Sequence, residues 1–398
     1  MKIGIDARLA LTRGRGWGRY TARFLTHLRQ CSEVELKVLL PANRAGFSLG
    51  SSLGAGVRCA YEDFSLPPDG DYLRNSMRRL APEDILGPLD LFHSLTRFVA
   101  DTDFHPIVAT VHDVAPLSRP PFKIDVRPST LTAMRRLNEV GAEIIAVSDF
   151  TRLEAIEFGG IAERRIRTIH PGSGLNGSSA FHHNRHGAPG ARPHRLLYVG
   201  GAGPNKNLDR LMEAVQILAS RLPLELHLVG AYEWGYSHYA HYWEVARESP
   251  LSIEFHDFVD DPQLRAEYSK SDVFVFPSLH EGFGLPIVEA MGNALPVCCS
   301  DIPVMREVAG NAARYFDPHD ARDVAAAIEG VLLQAGLRDE LVREGLNRSA
   351  RFTWRETIMR TVDVYREVIR KERRMSPATA SPNKPDSVES PYPAASTS

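Results

Sequence analysis

The sequence predicts an α/β protein made of two doubly wound domains, each with a mostly parallel sheet. The first reason is length, because 398 residues are more than one hydrophobic core usually serves. The second is that short β-branched runs alternate with segments of helical periodicity. The third is a break rich in Gly, Ser, His and Pro, after which the alternation starts again.

The first half of the chain carries five buried-strand patterns and one clear helix. We place the helix at about Arg19 to Arg29, and the strands in KIGID, VELKVLL, DLFHSL, PIVATVHD and AEIIAVS. The N-terminal domain is therefore predicted at 1–172, with a flexible linker at 173–193. Irregular spacing in a Gly/Pro-rich segment argues against a metal site for the histidines in and beside that linker: His182, His183, His186 and His194.

The second half repeats the pattern and defines a C-terminal domain at 194–352. Strands are predicted in RLLYVGG, LELHLVG, DVFVFPS and PVCCS, and helices in NLDRLMEAVQILASRL, QLRAEYSK, PIVEAMGN and DARDVAAAIEGVLLQAG. Gly336 is expected to end the last of these helices. A helix at 353–374 could cross back onto the first domain, and the Pro-rich segment 375–398 is predicted to be disordered.

Composition restricts the class of protein. Apolar residues make up 43% and charged residues 24% of the chain, which is typical of a soluble globular protein. No apolar run approaches the roughly 20 residues that a membrane span needs, and the N-terminus does not resemble a signal peptide. Four cysteines without metal-ligand spacing (Cys31, Cys59, Cys298 and Cys299) indicate reduced thiols in a cytoplasmic protein.

The net charge of −2 does not favour nucleic-acid binding by the whole chain. Arginines nevertheless cluster in two places. These clusters are either solvated helix faces or a surface for anionic lipid headgroups or an anionic acceptor. Their members are Arg8, Arg13, Arg15, Arg19 and Arg23 in one cluster, and Arg74, Arg78 and Arg79 in the other.

The stretch FPSLHEGFGLPIVEAMG at 276–292 is the most informative in the sequence. It joins a strand end to a helix start, with Pro286 at the first helical position, where proline is best tolerated. Free amides of Gly284 and Leu285 at a helix start form a site suited to a diphosphate. Gly282 allows close approach of a ligand to the backbone. Such loops follow the carboxyl ends of strands, where open α/β sheets bind ligands.

Two carboxylates flank this anion site. Glu281 lies in the loop and Glu289 about one turn into the helix, so each could hold the hydroxyls of a different part of one extended ligand. Two alternatives are surface glutamates in an ordinary connection and a glycosidase pair, whose two carboxylates flank the scissile bond. A glutamate inside a helix, behind an anion site, suits nucleotide-sugar binding better.

The segment EGFGLPIVE resembles the E-x7-E signature of retaining glycosyltransferases of family 4, which have the GT-B fold of two facing Rossmann-like domains. The similarity runs from MKIGIDAR to about residue 350 and includes YVGGAGPNKNLDRL, TVHDVAPLSRP, AVSDFTR and DIPVMREVAGNAARYFDP. The resemblance implies that Glu281 contacts the transferred sugar and Glu289 the ribose of the donor. Gly282, Phe283, Gly284 and Leu285 would bind the donor between them.

The resemblance assigns further roles. Lys206 would hold the donor diphosphate, and His112, with Asp113 to orient it, would lie near the sugar and phosphate. Many relatives carry an arginine near this lysine, whereas the candidate positions here are Gly201 and Asn205, so Arg210 or an arginine of the other domain could substitute. The remaining expected donor contacts are Gly16, Gly18, Phe258, Val259 and Gly201, with His280 also near the sugar and Glu307 either near the pocket or capping a helix.

The loop TRGRGWGRY does not favour a dinucleotide site. Its G-x-G-x-G run starts eight residues after Asp6, and no acidic residue ends the second strand. In the glycosyltransferase interpretation, this loop faces the cleft. Trp17 stands where relatives often carry a smaller aliphatic residue, which could alter acceptor fit.

The expected activity is retaining, metal-independent transfer of a hexose from a nucleotide diphosphate sugar to an acceptor hydroxyl. No cofactor or metal is expected, because a helix start and Lys206 can neutralise a diphosphate. The opening MKIGIDARLA with GWGRYT resembles bacterial mannosyltransferases of surface polysaccharide assembly, which favours GDP-mannose and leaves UDP-sugars open. The implied acceptor is a saccharide or lipid-linked saccharide at the inner membrane face. The alternatives are a non-catalytic GT-B subunit that binds a partner, and a GT-B phosphorylase or epimerase.

Overall fold

A computed structural model describes residues 1–8, 16–62, 80–118, 127–175, 192–230, 251–256 and 259–375. Most of the expected linker, the predicted disordered tail, Phe258, Arg13, Arg15 and the cluster around Arg78 lie outside these ranges. Among the described helices, none combines the length and the apolar character that crossing a bilayer would require.

The N-terminal domain contains a parallel sheet of seven strands. The strands are β1 (Lys2–Asp6), β2 (Glu35–Pro41), β3 (Arg58–Glu62), β4 (Leu91–Ser94), β5 (Ile107–Val111), β6 (Glu143–Ala146) and β7 (Ile166–Thr168). Their spatial order is β3-β2-β1-β4-β5-β6-β7. The order reverses between β1 and β4, and such a switch point leaves a crevice at the carboxyl ends of the strands.

The described part of this domain contains six helices: α1 (Gly16–Leu28), α2 (Arg44–Leu53), α3 (Pro82–Leu86), α4 (Ala115–Ser118), α5 (Arg127–Glu139) and α6 (Asp149–Glu157). The helix α1 buries Phe24, Leu25 and Leu28 on the side that faces the sheet, because these residues recur at helical spacing. Ser148 caps α6, since its side chain accepts a hydrogen bond from the Thr151 amide.

The C-terminal domain repeats the topology with six parallel strands in the order β10-β9-β8-β11-β12-β13. The strands are β8 (His194–Val199), β9 (Leu224–Val229), β10 (Ser252–His256), β11 (Val273–Phe276), β12 (Val297–Ser300) and β13 (Ala313–Phe316). The helices among the described residues of this domain are α7 (Leu208–Ala219), α8 (Asp261–Lys270), α9 (Leu285–Gly292), α10 (Pro303–Ala309), α11 (Ala321–Leu333) and α12 (Ala335–Ser349).

The last helix, α13 (Trp354–Met375), returns to the N-terminal domain. Tyr365 on α13 is fully buried and lies 2.6 Å from His93 Nδ1 on β4. The two segments through which the chain passes between the domains contact each other, because the Ser173 amide donates a hydrogen bond to the Phe352 carbonyl at 2.9 Å. Gly172 is required at this contact, since a Cβ atom there would lie 2.2 Å from the Trp354 backbone nitrogen.

Two sequence-based expectations differ from the structure. Gly336 does not end the helix that begins at Ala321: that helix ends at Leu333, and Gly336 lies in the first turn of α12. Gly16 and Gly18 were expected in a loop, whereas both lie in the first turn of α1. Glycine destabilises a helix mainly in its interior, where its backbone loses most freedom, so two glycines in the first turn are compatible with α1.

Candidate functional site

The loop between β11 and α9 is shaped by two glycines with different requirements. Gly284 caps α9 with a φ of 99°, a left-handed conformation that a residue with a Cβ adopts only at a cost. Gly282 lies directly against the other domain, since a Cβ atom there would meet the His112 carbonyl oxygen at 1.6 Å. The Ser148 hydroxyl donates to the Gly282 carbonyl at 2.6 Å. The loop therefore forms part of the contact between the two domains.

Glu281 and Lys206 form a hydrogen-bonded ion pair between their Oε1 and Nζ atoms. Lys206 ends a short 3-10 helix, Pro204–Lys206, that follows β8, and Glu281 follows the adjacent strand β11. Both side chains keep partial exposure, 21% for Lys206 and 14% for Glu281. Parallel neighbouring strands end at the same sheet edge, so the topology brings these two residues together from 75 positions apart.

Glu289 is nearly inaccessible, with 3% of its side chain exposed. Arg19 of α1 donates from Nη2 to its Oε1 at 3.1 Å, and the Tyr268 hydroxyl of α8 donates to Oε2 at 3.1 Å. Burial raises the pKa of Glu289, while Arg19, Tyr268 and Arg23 act in the opposite direction. A second ion pair, Arg23 with Asp261, lies beside this one and also joins the domains.

His112 is buried at the carboxyl end of β5 and is held in one tautomer. Its Nε2 lies 3.0 Å from the Leu95 carbonyl, which only accepts, so Nε2 carries the proton and Nδ1 is left as an acceptor. Burial lowers the pKa of His112 to about 4, so the ring is neutral at pH 7. Trp17 stacks on the ring at a centroid distance of 5.7 Å.

The residue expected to orient His112 has a different partner. The Asp113 carboxylate lies 3.6 Å from Nη1 of the buried Arg97, and Arg97 also lies over the Trp17 ring, 5.4 Å from its centroid. The orientation of His112 comes from Leu95 and from aromatic neighbours.

The other expected donor contacts lie around this edge of the sheet. Gly16 and Gly18 flank Trp17 at the start of α1, and Leu285 is half-buried at the start of α9. Gly201 follows β8 and its carbonyl accepts from Tyr198, while Val259 precedes α8 and packs on the core. The Phe283 side chain is buried, so this residue can offer a ligand only its backbone.

Asn205, one of the two candidate positions for the arginine that the resemblance implies, has a structural role in this chain. Asn205 donates from its side chain to the His280 carbonyl at 3.3 Å, and its own carbonyl accepts from the Leu279 amide at 2.8 Å. It thereby ties the lysine segment to the glutamate loop. Arg210 is not a substitute, since it points along α7 to Glu213 at 2.5 Å.

His280 and Glu307 both connect the domains. His280 donates from Nε2 to the buried Glu154 carboxylate at 2.9 Å. Glu307 caps α6 from the opposite domain, because its two oxygens accept from the amides of Asp149 and Phe150 at 2.7 and 2.9 Å. Of the two roles that the sequence left open for Glu307, the structure therefore provides the helix cap.

An open depression of about 580 Å³ lies elsewhere, beside β12 and β13. Its lining includes Asp301, Arg306 and Tyr315 and none of the residues assigned above. The Arg306 guanidinium lies 3.7 Å from the Tyr315 ring centroid and pairs with Asp301 at 2.6 Å. The polar groups that converge at the domain contact are therefore a better candidate site than this depression.

Sequence reasoning did not assign three residues of the site. Arg19 was noted only as part of a basic cluster, and Tyr268 and Arg97 were not singled out. Their partners lie far away in the chain: Arg19 and Glu289 are 270 residues apart. A Tyr directly after the acidic residue of an amphipathic helix carries no recognisable signal in one sequence.

Two facing Rossmann-like domains, with one carboxylate in the loop before α9 and a second inside that helix at the domain contact, define a glycosyltransferase with the GT-B fold. The chain belongs to the glycosyl transferases group 1 family, whose model matches residues 182–348. It is 30% identical over 273 residues to O-antigen chain mannosyltransferase B of Escherichia coli, a match that covers 65% of this chain and 70% of that protein.

Solved structures support the fold independently. Sucrose-phosphate synthase from Thermosynechococcus elongatus superposes with a TM-score of 0.74 at 16% identity, covering 93% of this chain and all of that one. Anabaena HepE, in complex with UDP and glucose, gives a TM-score of 0.68 at 17% identity, covering 92% of this chain and 100% of that one. These likenesses concern architecture, and the family assignment comes from the sequence matches.

Proposed function

We propose that this glycosyltransferase moves a hexose, with mannose favoured, from a nucleotide diphosphate sugar to a saccharide or lipid-linked acceptor in surface polysaccharide assembly. The proposal includes retention of anomeric configuration and independence from metal. The observation that carries it is the ion pair of Lys206 with Glu281, which lies at the carboxyl ends of β8 and β11 beside the start of α9.

Lys206 would neutralise the donor diphosphate together with the amides at the start of α9. Its ammonium and the helix dipole both favour the charge that develops on the leaving group. Glu281 would then hold hydroxyls of the transferred sugar, and Glu289 the ribose diol. In this arrangement Arg19, which donates to Glu289 across the domain contact, gives way to or shares the carboxylate with the ribose.

Retention is supported by the engagement of nearby acids. Glu154 accepts from His280, and Asp113 faces Arg97, so both carboxylates have other partners. We propose a front-face displacement in which the leaving phosphate takes the proton of the acceptor hydroxyl. His112, neutral with Nδ1 as an acceptor, could accept a hydrogen bond from a sugar hydroxyl.

The preference for mannose and for a polysaccharide product rests on the relative from E. coli, whose name specifies an O-antigen chain mannosyltransferase. UDP-sugars are the second option, in keeping with the UDP and glucose bound to the Anabaena protein of the same fold. Peripheral contact with a membrane follows from a lipid-linked acceptor and is part of the proposal.

The decisive experiment is a panel of nucleotide sugars, scored by release of nucleoside diphosphate with and without a saccharide acceptor. We expect the highest rate with GDP-mannose, equal rates with and without added magnesium, and a product whose NMR coupling shows the anomeric configuration of the donor. Glu281→Gln is the matched inactive variant. Release of free or phosphorylated sugar would favour the phosphorylase or epimerase, and no turnover of any donor would favour the non-catalytic subunit.

A further inference from the structure

A second cluster of polar groups lies away from the two glutamates, at the β9–β10 edge of the C-terminal sheet. The parallel register of β9 and β10 pairs His227 with Glu254. Two residues further along β10, His256 turns its ring parallel to that of His227, with centroids 5.2 Å apart and planes at 17°. The helix α8 adds Glu267 from above the same edge, within reach of both rings.

The ligating atoms of this cluster point at one another. His227 Nδ1 lies 2.9 Å from His256 Nε2. Glu254 Oε2 lies 3.5 Å from the first nitrogen and 3.6 Å from the second, and Glu267 Oε2 lies 4.0 Å from His227 Nδ1. Zinc–ligand bonds of about 2.0 to 2.2 Å in a tetrahedral site separate ligand atoms by roughly 3.3 to 3.6 Å. The four separations given above bracket this range, and the ligating atoms of His227, His256 and Glu267 all lie within 4.8 Å of one another.

The surroundings complete a metal site in two respects. His227 Nε2 is buried without a hydrogen bond among the described residues, and Glu225 Oε2 lies 3.5 Å from it, as expected for the carboxylate that orients a ligating histidine. Arg195 forms a hydrogen-bonded ion pair with Glu267. Three carboxylates and one guanidinium leave two net negative charges when the rings are neutral, which matches a divalent cation.

We propose that His227, His256 and Glu267 bind one zinc ion, with the exposed side chain of Glu254 moving in as the fourth ligand. Mixed imidazole and carboxylate ligands suit zinc better than magnesium or calcium, which prefer oxygen alone. The ion would join β9, β10 and α8. The next residue of α8, Tyr268, donates to Glu289, so the ion would also fix the helix that supports this carboxylate. The inference does not depend on the proposed transfer reaction, because its test measures metal binding.

The test uses full-length protein without a histidine tag, stripped of metal and titrated with Zn²⁺ against a chromophoric chelator. Because the segment around His182 is rich in histidine, the background protein carries His182→Gln, His183→Gln and His186→Gln. We expect one equivalent to bind in this background. His256→Gln should weaken binding at least tenfold, whereas His194→Gln, at the start of β8, should leave it unchanged.

Two further measurements guard against misfolding. The side chain of His256 is 28% exposed, so we expect His256→Gln and the parent protein to have the same Tm when both are free of metal. Co²⁺ bound to the parent should give the visible absorption bands of a four-coordinate site, and these bands should be absent in His256→Gln. Absence of a zinc equivalent in the background protein, or equal zinc affinity in His256→Gln, would overturn the proposal.

Discussion

Replacement of Arg19 by alanine tests the buried carboxylate at the centre of the domain contact. The side chain of Glu289 is 3% exposed and that of Arg19 is 32% exposed, and they are joined at 3.1 Å. Losing a hydrogen bond to a charged buried group costs about 1.5 to 3 kcal/mol. Because Arg19 retains contact with solvent, we expect the lower part of this range, about 1.5 to 2 kcal/mol.

The cost should depend on pH with a defined sign. Burial raises the pKa of Glu289 and Arg19 lowers it, so Arg19→Ala raises that pKa further. A carboxyl whose folded-state pKa lies above its unfolded value stabilises the fold at low pH and loses this contribution as pH rises through the folded value. The variant therefore loses most stability at pH 8, where an unpaired carboxylate stays buried, and least at pH 5.

The assay is thermal unfolding of each variant relative to wild type at pH 5 and pH 8. A loss of about 1.5 to 2 kcal/mol corresponds to roughly 3 to 8 °C for a unit of 150 to 250 residues. Arg210→Ala is the matched control, since Arg210 is 35% exposed and pairs with the exposed Glu213, a pair worth about 0.5 kcal/mol or less. An equal loss at both pH values, or a loss no greater than that of the control, would refute the assignment.

Three further predictions concern catalysis, pH and packing. Lys206→Ala should lower turnover by about two to three orders of magnitude with little change in Tm, and normal turnover would exclude its role at the diphosphate. His112 should titrate by NMR near its pKa of about 4. Its neutral ring therefore contributes up to about 3 kcal/mol to the free energy of unfolding above pH 6.5, and this contribution is lost as pH falls toward 4. His112→Gln should reduce the loss of stability between pH 6.5 and 4, and an unchanged loss in this variant would contradict the prediction. Gly172→Ala, whose Cβ atom would lie 2.2 Å from the Trp354 nitrogen, should destabilise the protein by about 1 to 3 kcal/mol. Gly336→Ala, with open space around the new Cβ atom in helix α12, should stabilise it by up to about 1 kcal/mol. A lower Tm for Gly336→Ala than for Gly172→Ala would show that Gly336 does not lie in α12.

The central strands could be predicted because their burial on both faces makes them continuous apolar runs, as in β5 and β11. The strands β3, β7, β10 and β13 were missed, and these are the edge strands of the two sheets. The strands β3 and β10 contain no buried residue, β7 has one buried residue, and β13 carries the exposed Arg314. An edge strand pairs with one neighbouring strand and is exposed to solvent along its other edge, so its sequence lacks the continuous apolar run of a central strand.

The residues of the site also differ in whether a local sequence pattern predicts them. Glu281 and Lys206 could be found because each belongs to a local motif at a strand end. The zinc cluster could not, because His227 and His256 are 29 residues apart and face each other only through the register of two parallel strands. Register in a parallel sheet depends on the crossover between the strands, which a single sequence does not encode in any local spacing.

The contacts that hold the two domains together differ in kind from those that hold each domain. Across the cleft, Arg19 meets Glu289, Ser148 donates to the Gly282 carbonyl, and Glu307 caps a helix of the other domain. Each of these three contacts is a hydrogen bond or ion pair worth about 1 to 2 kcal/mol net, and an aromatic contact accompanies them, because the Phe150 and His280 rings lie 5.4 Å apart between centroids. The polar groups at this face can exchange their partners for water, which the apolar side chains of the two cores cannot do, so we expect the domain contact to loosen before either core does.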